Sequence, residues 1–108
     1  MAHVITSACI DVKDGACVQA CPVDCIYVGG RMLYIQPGEC IDCGVCISFC
    51  PVDAIHDEQH LPAALRHFAA INADFFAPFV TGWGAPGGAS PSFATTLDHP
   101  VVAAHRRD

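Results

Sequence analysis

Four cysteines followed by a proline, all within twelve residues, constrain this chain more than any other feature. They are Cys40, Cys43, Cys46, Cys50 and Pro51, in the pattern C-x2-C-x2-C-x3-C-P. This spacing is typical of proteins that bind two iron–sulfur clusters, in which three thiolates of a run bind one cluster and the fourth binds the other. Three thiolates on a tight loop reach three corners of a cluster, whereas the helical turn that follows points the fourth away. Zinc would need four ligands that converge as a tetrahedron, and this run has no histidine at the spacing of a zinc finger.

The first half of the chain repeats this run imperfectly. The stretch Cys9-Ile10-Asp11 matches Cys40-Ile41-Asp42, and residues 17–26 align with residues 46–55 at an offset of 29. The repeat predicts two similar units, each with its own group of cysteines.

One thiolate is missing from the first copy. Val12 occupies the position of Cys43, and the loop from there to the next cysteine is two residues longer. If the fourth cysteine of each run binds the cluster of the other run, one set of four thiolates is complete: Cys21, Cys40, Cys43 and Cys46. The remaining set has three members: Cys9, Cys17 and Cys50. Because an iron without a protein ligand is easily lost, the spacing predicts one 4Fe–4S and one 3Fe–4S cluster, with 3 + 4 = 7 irons in total.

Two alternatives concern individual residues. An oxygen ligand from Asp14 or Asp11 would keep a fourth iron in the incomplete site, although a carboxylate is a hard ligand beside soft thiolates. This alternative stays open under strongly reducing conditions. Cys25, which aligns with Ala54, is either a spare ligand or a buried packing residue, and we favour packing because free cysteine is among the most buried residue types.

Length and composition restrict the remaining classes of protein. A chain of 108 residues is one domain, too short for a catalytic fold with a deep cleft. The net charge of −6 argues against a nucleic-acid partner, and no stretch is apolar enough for a membrane span. Disulfide scaffolds belong to secreted proteins, and the chain does not open with a signal pattern. We therefore expect a cytoplasmic, soluble monomer that is not an enzyme.

The remaining residues predict an α+β fold. Strands are expected at residues 4–6 and 54–56, and a hairpin at residues 26–35 that turns at Gly29 and Gly30. Short helices are expected near residues 16–20 and 44–49. The predicted core, residues 1–58, thus consists of two pseudo-symmetric βαβ units with short antiparallel strands. Folding of so small a core should be coupled to cluster assembly.

A different pattern begins at Leu61. Pro62 suits the first position of a helix, and the apolar spacing predicts a helix over about residues 62–76, interrupted on its apolar face only by Asn72. A Pro/Gly-rich irregular segment follows at residues 78–92, and then a tail. We expect this C-terminal extension, residues 59–108, to pack on the core and exclude water from it.

Charge is divided unevenly between these two parts. Residues 1–58 carry two basic and eight acidic side chains, a net charge of −6, and residues 59–108 carry three of each. Because the acidic half also holds all the predicted cluster ligands, this charge distribution predicts docking on basic redox proteins. Tyr27, Tyr34 and Phe49 lie near the cysteines and are expected to shield the clusters, whereas the six histidines show no metal-binding spacing.

The cysteine pattern of residues 9–51 resembles that of the seven-iron bacterial ferredoxins, closely over residues 1 to about 60. The resemblance implies the bacterial dicluster ferredoxin fold with a long C-terminal extension. It also implies a 3Fe–4S cluster on Cys9, Cys17 and Cys50 and a 4Fe–4S cluster on Cys21, Cys40, Cys43 and Cys46. The implied function is one-electron transfer from an NAD(P)H-dependent ferredoxin reductase or oxidoreductase to an acceptor such as a haem-thiolate monooxygenase or another reductive enzyme.

Two other functions are compatible with some of these features. One is an iron- or oxygen-responsive sensor that uses the loss of a labile iron, but the acidic charge offers no readout surface for nucleic acid. The other is a structural zinc protein with two four-thiolate sites. Metal analysis separates zinc from iron and sulfide.

Overall fold

Within the part of the chain that the structure describes, four three-residue strands form two separate antiparallel pairs. The computed structural model describes residues 3–11, 18, 24–40, 47, 54–84, 87–88 and 95–105. The strands are β1 (His3–Ile5), β2 (Ile26–Val28), β3 (Leu33–Ile35) and β4 (Ile55–Asp57). Strand β1 pairs with β4, far away in the sequence, whereas β2 and β3 form a hairpin. Together with the helices of the extension, these strands make the small α+β arrangement that the sequence predicts.

The predicted strands differ from the observed ones by about one residue. Strand β1 begins at His3 and ends before Thr6, and β4 extends to Asp57 instead of ending at His56. The two short helices predicted near residues 16–20 and 44–49 lie outside the described residues except for Val18 and Ile47, both of which are helical.

The hairpin turn uses its two glycines for a reason other than the predicted one. Neither Gly29 nor Gly30 has the positive φ that a tight two-residue turn requires, and the connection runs over four residues, 29–32. A Cβ at Gly30 would instead collide with the carbonyl oxygen of Thr96 and approach Asp98 Oδ2 to 2.6 Å. Gly30 is needed because the C-terminal segment passes directly over the turn, whereas a Cβ at Gly29 would first meet the ring of Tyr34.

The stretch predicted as one helix over residues 62–76 is divided in the structure. A 3-10 turn, Ala63–Leu65, precedes helix α1, His67–Asp74. After α1 the backbone tightens, because the N–H groups of Phe76 and Ala77 bond three residues back, to Ala73 and Asp74, instead of four. The predicted apolar face is nevertheless the one that faces inwards, with Phe68, Asn72 and Phe75 all buried.

The extension contributes directly to the core. Helix α1 packs against β1 and β3, and a second short helix, α2 (Pro100–Ala103), buries Val102 completely. Residues 78–84 are irregular, as predicted, but they turn back so that Trp83 packs beside Phe75 and Phe76. Within the described part of the chain, no helix is long and apolar enough to cross a membrane.

Candidate metal centre

The segment that carries Cys9 is fixed to the chain just beyond Cys50. Cys9 ends a 3-10 helix that begins at Ser7, and its N–H donates to the carbonyl of Thr6 at 3.1 Å. The N–H of Thr6 donates to the carbonyl of Ala54 at 2.9 Å, and its hydroxyl donates to the same oxygen at 2.7 Å. Ala54 follows Cys50 by four residues, so these bonds hold Cys9 close to the backbone that leads from Cys50.

The segment that carries Cys40 is fixed in the same way to the chain just beyond Cys21. The N–H of Cys40 donates to the carbonyl of Gln36 at 3.1 Å, and the N–H of Gln36 donates to the carbonyl of Cys25 at 2.8 Å. Cys25 follows Cys21 by four residues. Cys40 is half-buried, and Cys25 is 2% exposed.

The two arrangements occupy equivalent places in the sequence repeat. Cys25 and Ala54 align at the offset of 29. Cys25 precedes β2 and accepts a hydrogen bond from the residue after β3, and Ala54 precedes β4 and accepts one from the residue after β1. Ile26 opposite Ile35 corresponds to Ile55 opposite Ile5. Both aligned residues are buried, which supports the interpretation of Cys25 as a packing residue.

Five of the seven predicted ligands, Cys17, Cys21, Cys43, Cys46 and Cys50, lie outside the described residues. Within the described ranges, no three His, Cys, Asp or Glu side chains meet as a metal site. Cys9, one of the two predicted ligands within the described residues, offers a sulfur atom within the apolar core with only 6% of its surface exposed, which fits the needs of an iron–sulfur cluster.

Both tyrosines of the chain lie inside the hairpin and face each other across it. Tyr34 stacks on Phe75, with ring centroids 3.7 Å apart, and donates its hydroxyl proton to Asp98 Oδ1 at 2.7 Å. Tyr27 donates to Glu39 Oε1 at 2.6 Å. Burial, followed by the hydrogen bond to a carboxylate, raises the pKa of each phenol well above its usual value. Both side chains are fully buried, as shielding requires, whereas Phe49 lies outside the described residues.

Glu39, the residue before Cys40, connects the hairpin to the extension. Its other carboxylate oxygen accepts from the N–H of Gly87, and the N–H of Gly88 donates to the hydroxyl of Tyr27 at 3.2 Å. The irregular segment is therefore attached beside a predicted ligand. Apart from its position next to Cys40, nothing in the sequence marks Glu39 as a functional residue.

Two further residues position the core without being predicted to do so. Asn72, predicted only as an interruption of an apolar face, is 2% exposed and hydrogen-bonds the backbone of both β1 and β3. His99, treated as an ordinary residue, accepts a hydrogen bond at Nδ1 from the N–H of Val101 and so caps α2. A polar residue on an apolar face was the signal for Asn72, whereas nothing local marks a histidine cap.

The chain is similar in sequence to known proteins. The family model of the 4Fe-4S binding domain matches residues 33–56. A ferredoxin of Mycolicibacterium smegmatis is 56% identical over 100 residues, which cover 93% of this chain and 91% of the relative. A ferredoxin of Mycobacterium bovis is 49% identical over 108 residues, covering 96% and 95%. A protein named ferredoxin 7Fe, from Hydrogenibacillus schlegelii, is 50% identical over 76 residues, covering 70% of this chain and 97% of the relative.

These similarities define an iron–sulfur protein that transfers electrons and is not an enzyme. The chain belongs to the ferredoxin family.

Proposed function

We propose that this chain is a seven-iron ferredoxin, a soluble one-electron carrier of the cytoplasm. In this proposal Cys9, Cys17 and Cys50 bind a 3Fe–4S cluster. The four ligands of the 4Fe–4S cluster are Cys21, Cys40, Cys43 and Cys46. Residues 1–58 form a dicluster core of two pseudo-symmetric units, and residues 59–108 form the extension that covers it.

The hydrogen bonds between distant segments carry the proposal. The bond from Thr6 to Ala54 connects the segment that carries Cys9 with the segment that follows Cys50. The bond from Gln36 to Cys25 connects the segment that carries Cys40 with the segment that follows Cys21. The predicted 4Fe–4S cluster takes three ligands from one run and one from the other, and the predicted 3Fe–4S cluster takes two and one, so each needs such a connection. The Val12 substitution then leaves one site a thiolate short, and the similarity to a relative named ferredoxin 7Fe supports the same count.

The residues of the chain bind, insulate and orient the clusters. The clusters supply one-electron chemistry, with potentials set by ligation, hydrogen bonds and exposure. Cysteine thiolates hold them, and the buried rings of Tyr27, Tyr34 and Phe75 keep water from one side of the hairpin. The phenols add no charge to this interior, because a tyrosine is already protonated at physiological pH and burial raises the pKa of both further.

The charge distribution supports docking on basic redox proteins. All of the net charge of −6 lies on residues 1–58, and exposed acidic side chains of that half include Asp24 and Glu58. Opposite charges on a partner would accelerate encounter. The proposed donor is an NAD(P)H-dependent ferredoxin reductase or oxidoreductase, and the proposed acceptor is a haem-thiolate monooxygenase or another reductive enzyme. The chain acts as a monomer in this scheme.

Electron paramagnetic resonance of anaerobically purified protein tests the proposal. The oxidised protein should show a three-iron signal of about one spin per chain, and a reduced four-iron signal should appear only after strong reduction. Cys43→Ser should diminish the four-iron signal, and the oxidised three-iron signal should persist or increase, because a site left with three thiolates loses its fourth iron easily. Cys25→Ala is the matched control: it removes a thiol that is outside the predicted ligand sets and reproduces Ala54 of the other half, so both signals should persist. A diamagnetic oxidised protein, or a colourless protein that contains zinc, would overturn the proposal.

A further inference from the structure

Arg31, in the connection between β2 and β3, binds the carboxylate of Asp11 through two parallel hydrogen bonds. Nε donates to Oδ1 at 2.9 Å, and Nη2 donates to Oδ2 at 2.7 Å. Both oxygens of Asp11 are thus engaged by one planar guanidinium, the geometry in which arginine binds carboxylates most strongly. Arginine is charged at any working pH, and the contact with Asp11 raises the pKa of Arg31 further.

The backbone of Asp11 is fixed by the same residue. Its N–H donates to the carbonyl oxygen of Arg31 at 2.7 Å, and its φ of 66° lies in the left-handed region, which aspartate tolerates better than most residues. Main chain and side chain of Asp11 are therefore both oriented towards Arg31.

Arg31 is in turn held by the C-terminal segment. Its N–H donates to both carboxylate oxygens of Asp98, at 3.0 and 2.8 Å. Its remaining guanidinium nitrogen, Nη1, donates to three carbonyl oxygens at the end of α2, at 2.8 to 3.1 Å: those of Val102, Ala103 and His105. The extension thus holds the guanidinium in the orientation that meets Asp11.

The position of Asp11 gives this arrangement a consequence for the incomplete site. Asp11 immediately precedes Val12, which occupies the place of the missing thiolate, and it follows Cys9 by two residues. Its side chain is 43% exposed, so iron in solution has access to it. A carboxylate at this place is a candidate fourth ligand, but here both of its oxygens are committed to Arg31.

We propose that Arg31 withholds the Asp11 carboxylate from the 3Fe–4S site and so opposes the uptake of a fourth iron. The inference rests on the proposed function, because it presupposes a three-iron cluster on Cys9, Cys17 and Cys50. Asp11 and Asp14 are the two alternatives for an oxygen ligand of a fourth iron, and this inference disfavours Asp11. Asp14 lies outside the described residues.

Iron uptake by the reduced protein tests this inference. Dithionite supplies one electron to the three-iron cluster, and added Fe²⁺ enters the vacant corner. In a variant without Arg31, a new Fe–O bond to Asp11 would complete the site. Wild type, Arg31→Met, Arg31→Met/Asp11→Asn and Arg66→Met are compared by the remaining oxidised three-iron resonance signal and by iron per chain. Arg66→Met removes the same charge from an exposed site in the extension.

Arg31→Met should take up iron about two- to fivefold faster than wild type, the factor expected from a partly exposed ion pair. The double variant and Arg66→Met should match wild type. Equal rates for Arg31→Met and wild type would overturn the inference, as would a double variant as fast as Arg31→Met. Arg31→Lys covers the case in which Arg31→Met does not assemble: lysine cannot form the two parallel bonds, so its rate should exceed that of wild type, and an equal rate counts against the inference.

The two proposals fail in distinguishable ways. A wild-type protein without an oxidised three-iron signal contradicts the proposed function, and the inference with it. A wild-type protein that has this signal, together with variants that all take up iron at one rate, contradicts only the role of Arg31.

Discussion

Asn72 hydrogen-bonds both polar groups of the Ile5 backbone. Its Nδ2 donates to the carbonyl of Ile5 at 2.8 Å, and its Oδ1 accepts from the N–H of Ile5 at 3.1 Å. The same Oδ1 accepts from Ile35 at 2.9 Å, and Nδ2 also donates to Phe68 at 2.8 Å. A single buried side chain in the extension therefore joins β1 of one sheet to β3 of the other, with its full hydrogen-bonding capacity used.

Asn72→Leu should strongly destabilise the protein. Leucine has no polar atoms, so the buried groups of Ile5 and Ile35 lose these partners, at about 1–3 kcal/mol for each group left unsatisfied. A total of about 3 kcal/mol corresponds to a fall in melting temperature of about 10 °C or more for a domain of this size. Anaerobic circular dichroism melts of the cluster-loaded protein measure it. Ala73→Ser, on the exposed side of the same helix, is the control, and a similar small shift for both variants would refute the role of Asn72.

Gly30→Ala should loosen the C-terminal segment. The new Cβ would collide with the carbonyl oxygen of Thr96, so the chain over the turn must move and the bonds from the Arg31 N–H to Asp98 must lengthen. Hydrogen exchange followed by mass spectrometry should show faster exchange at the turn and in residues 95–105. In the control, Gly38→Ala, the nearest atom, at 3.1 Å, is Oε1 of Gln36 and not an atom of the C-terminal segment, so exchange in residues 95–105 should be unchanged. Unchanged exchange in Gly30→Ala would show that the close approach is not a constraint.

Alkaline pH should unfold the protein and ionise its tyrosines together. The pKa of Tyr27 and of Tyr34 is raised in the folded state by burial and by a carboxylate neighbour, whereas an unfolded tyrosine titrates near pH 10. Above about pH 10 the unfolded state therefore binds fewer protons than the folded state, and stability falls as pH rises. Ultraviolet absorption of phenolate should appear only with the loss of circular dichroism. Phenolate absorption near pH 10 in a fully folded protein would contradict the buried hydrogen bonds.

Electron transfer to a basic partner should slow as salt is added. Cytochrome c, a basic one-electron acceptor, serves as the probe in stopped-flow measurements at several ionic strengths, because screening weakens attraction between separated charges. Glu58→Gln should lower the rate at low salt and make it less dependent on salt. Arg66→Gln, which alters an exposed charge of the extension, should change the rate less. A rate that is independent of salt would argue against docking through the acidic half.

The strands and the repeat could be predicted because their signals are local. Short apolar runs on either side of Gly29 and Gly30 indicate the hairpin, and the match between residues 17–26 and 46–55 predicts related surroundings for Cys25 and Ala54. Strand ends shifted by one residue because three-residue strands have few bonds with which to define their limits.

The connections made by the extension could not be predicted. Arg31 and Asp98 are 67 residues apart, and Tyr34 and Asp98 are 64 apart, so no local pattern indicates that they meet. Asn72 was recognised as unusual, yet its partners depend on how α1 packs across two sheets. For the same reason, the purpose of the glycine pair was wrongly predicted as turn conformation.

Iron and acid-labile sulfide, counted per chain in anaerobically purified protein, test the central claim most directly. A three-iron and a four-iron cluster together predict about seven irons and eight sulfides, because each cluster retains four sulfides. Eight irons with eight sulfides would mean that a further ligand, an oxygen or the thiolate of Cys25, completes the second site. Zinc without sulfide would contradict the assignment of both clusters.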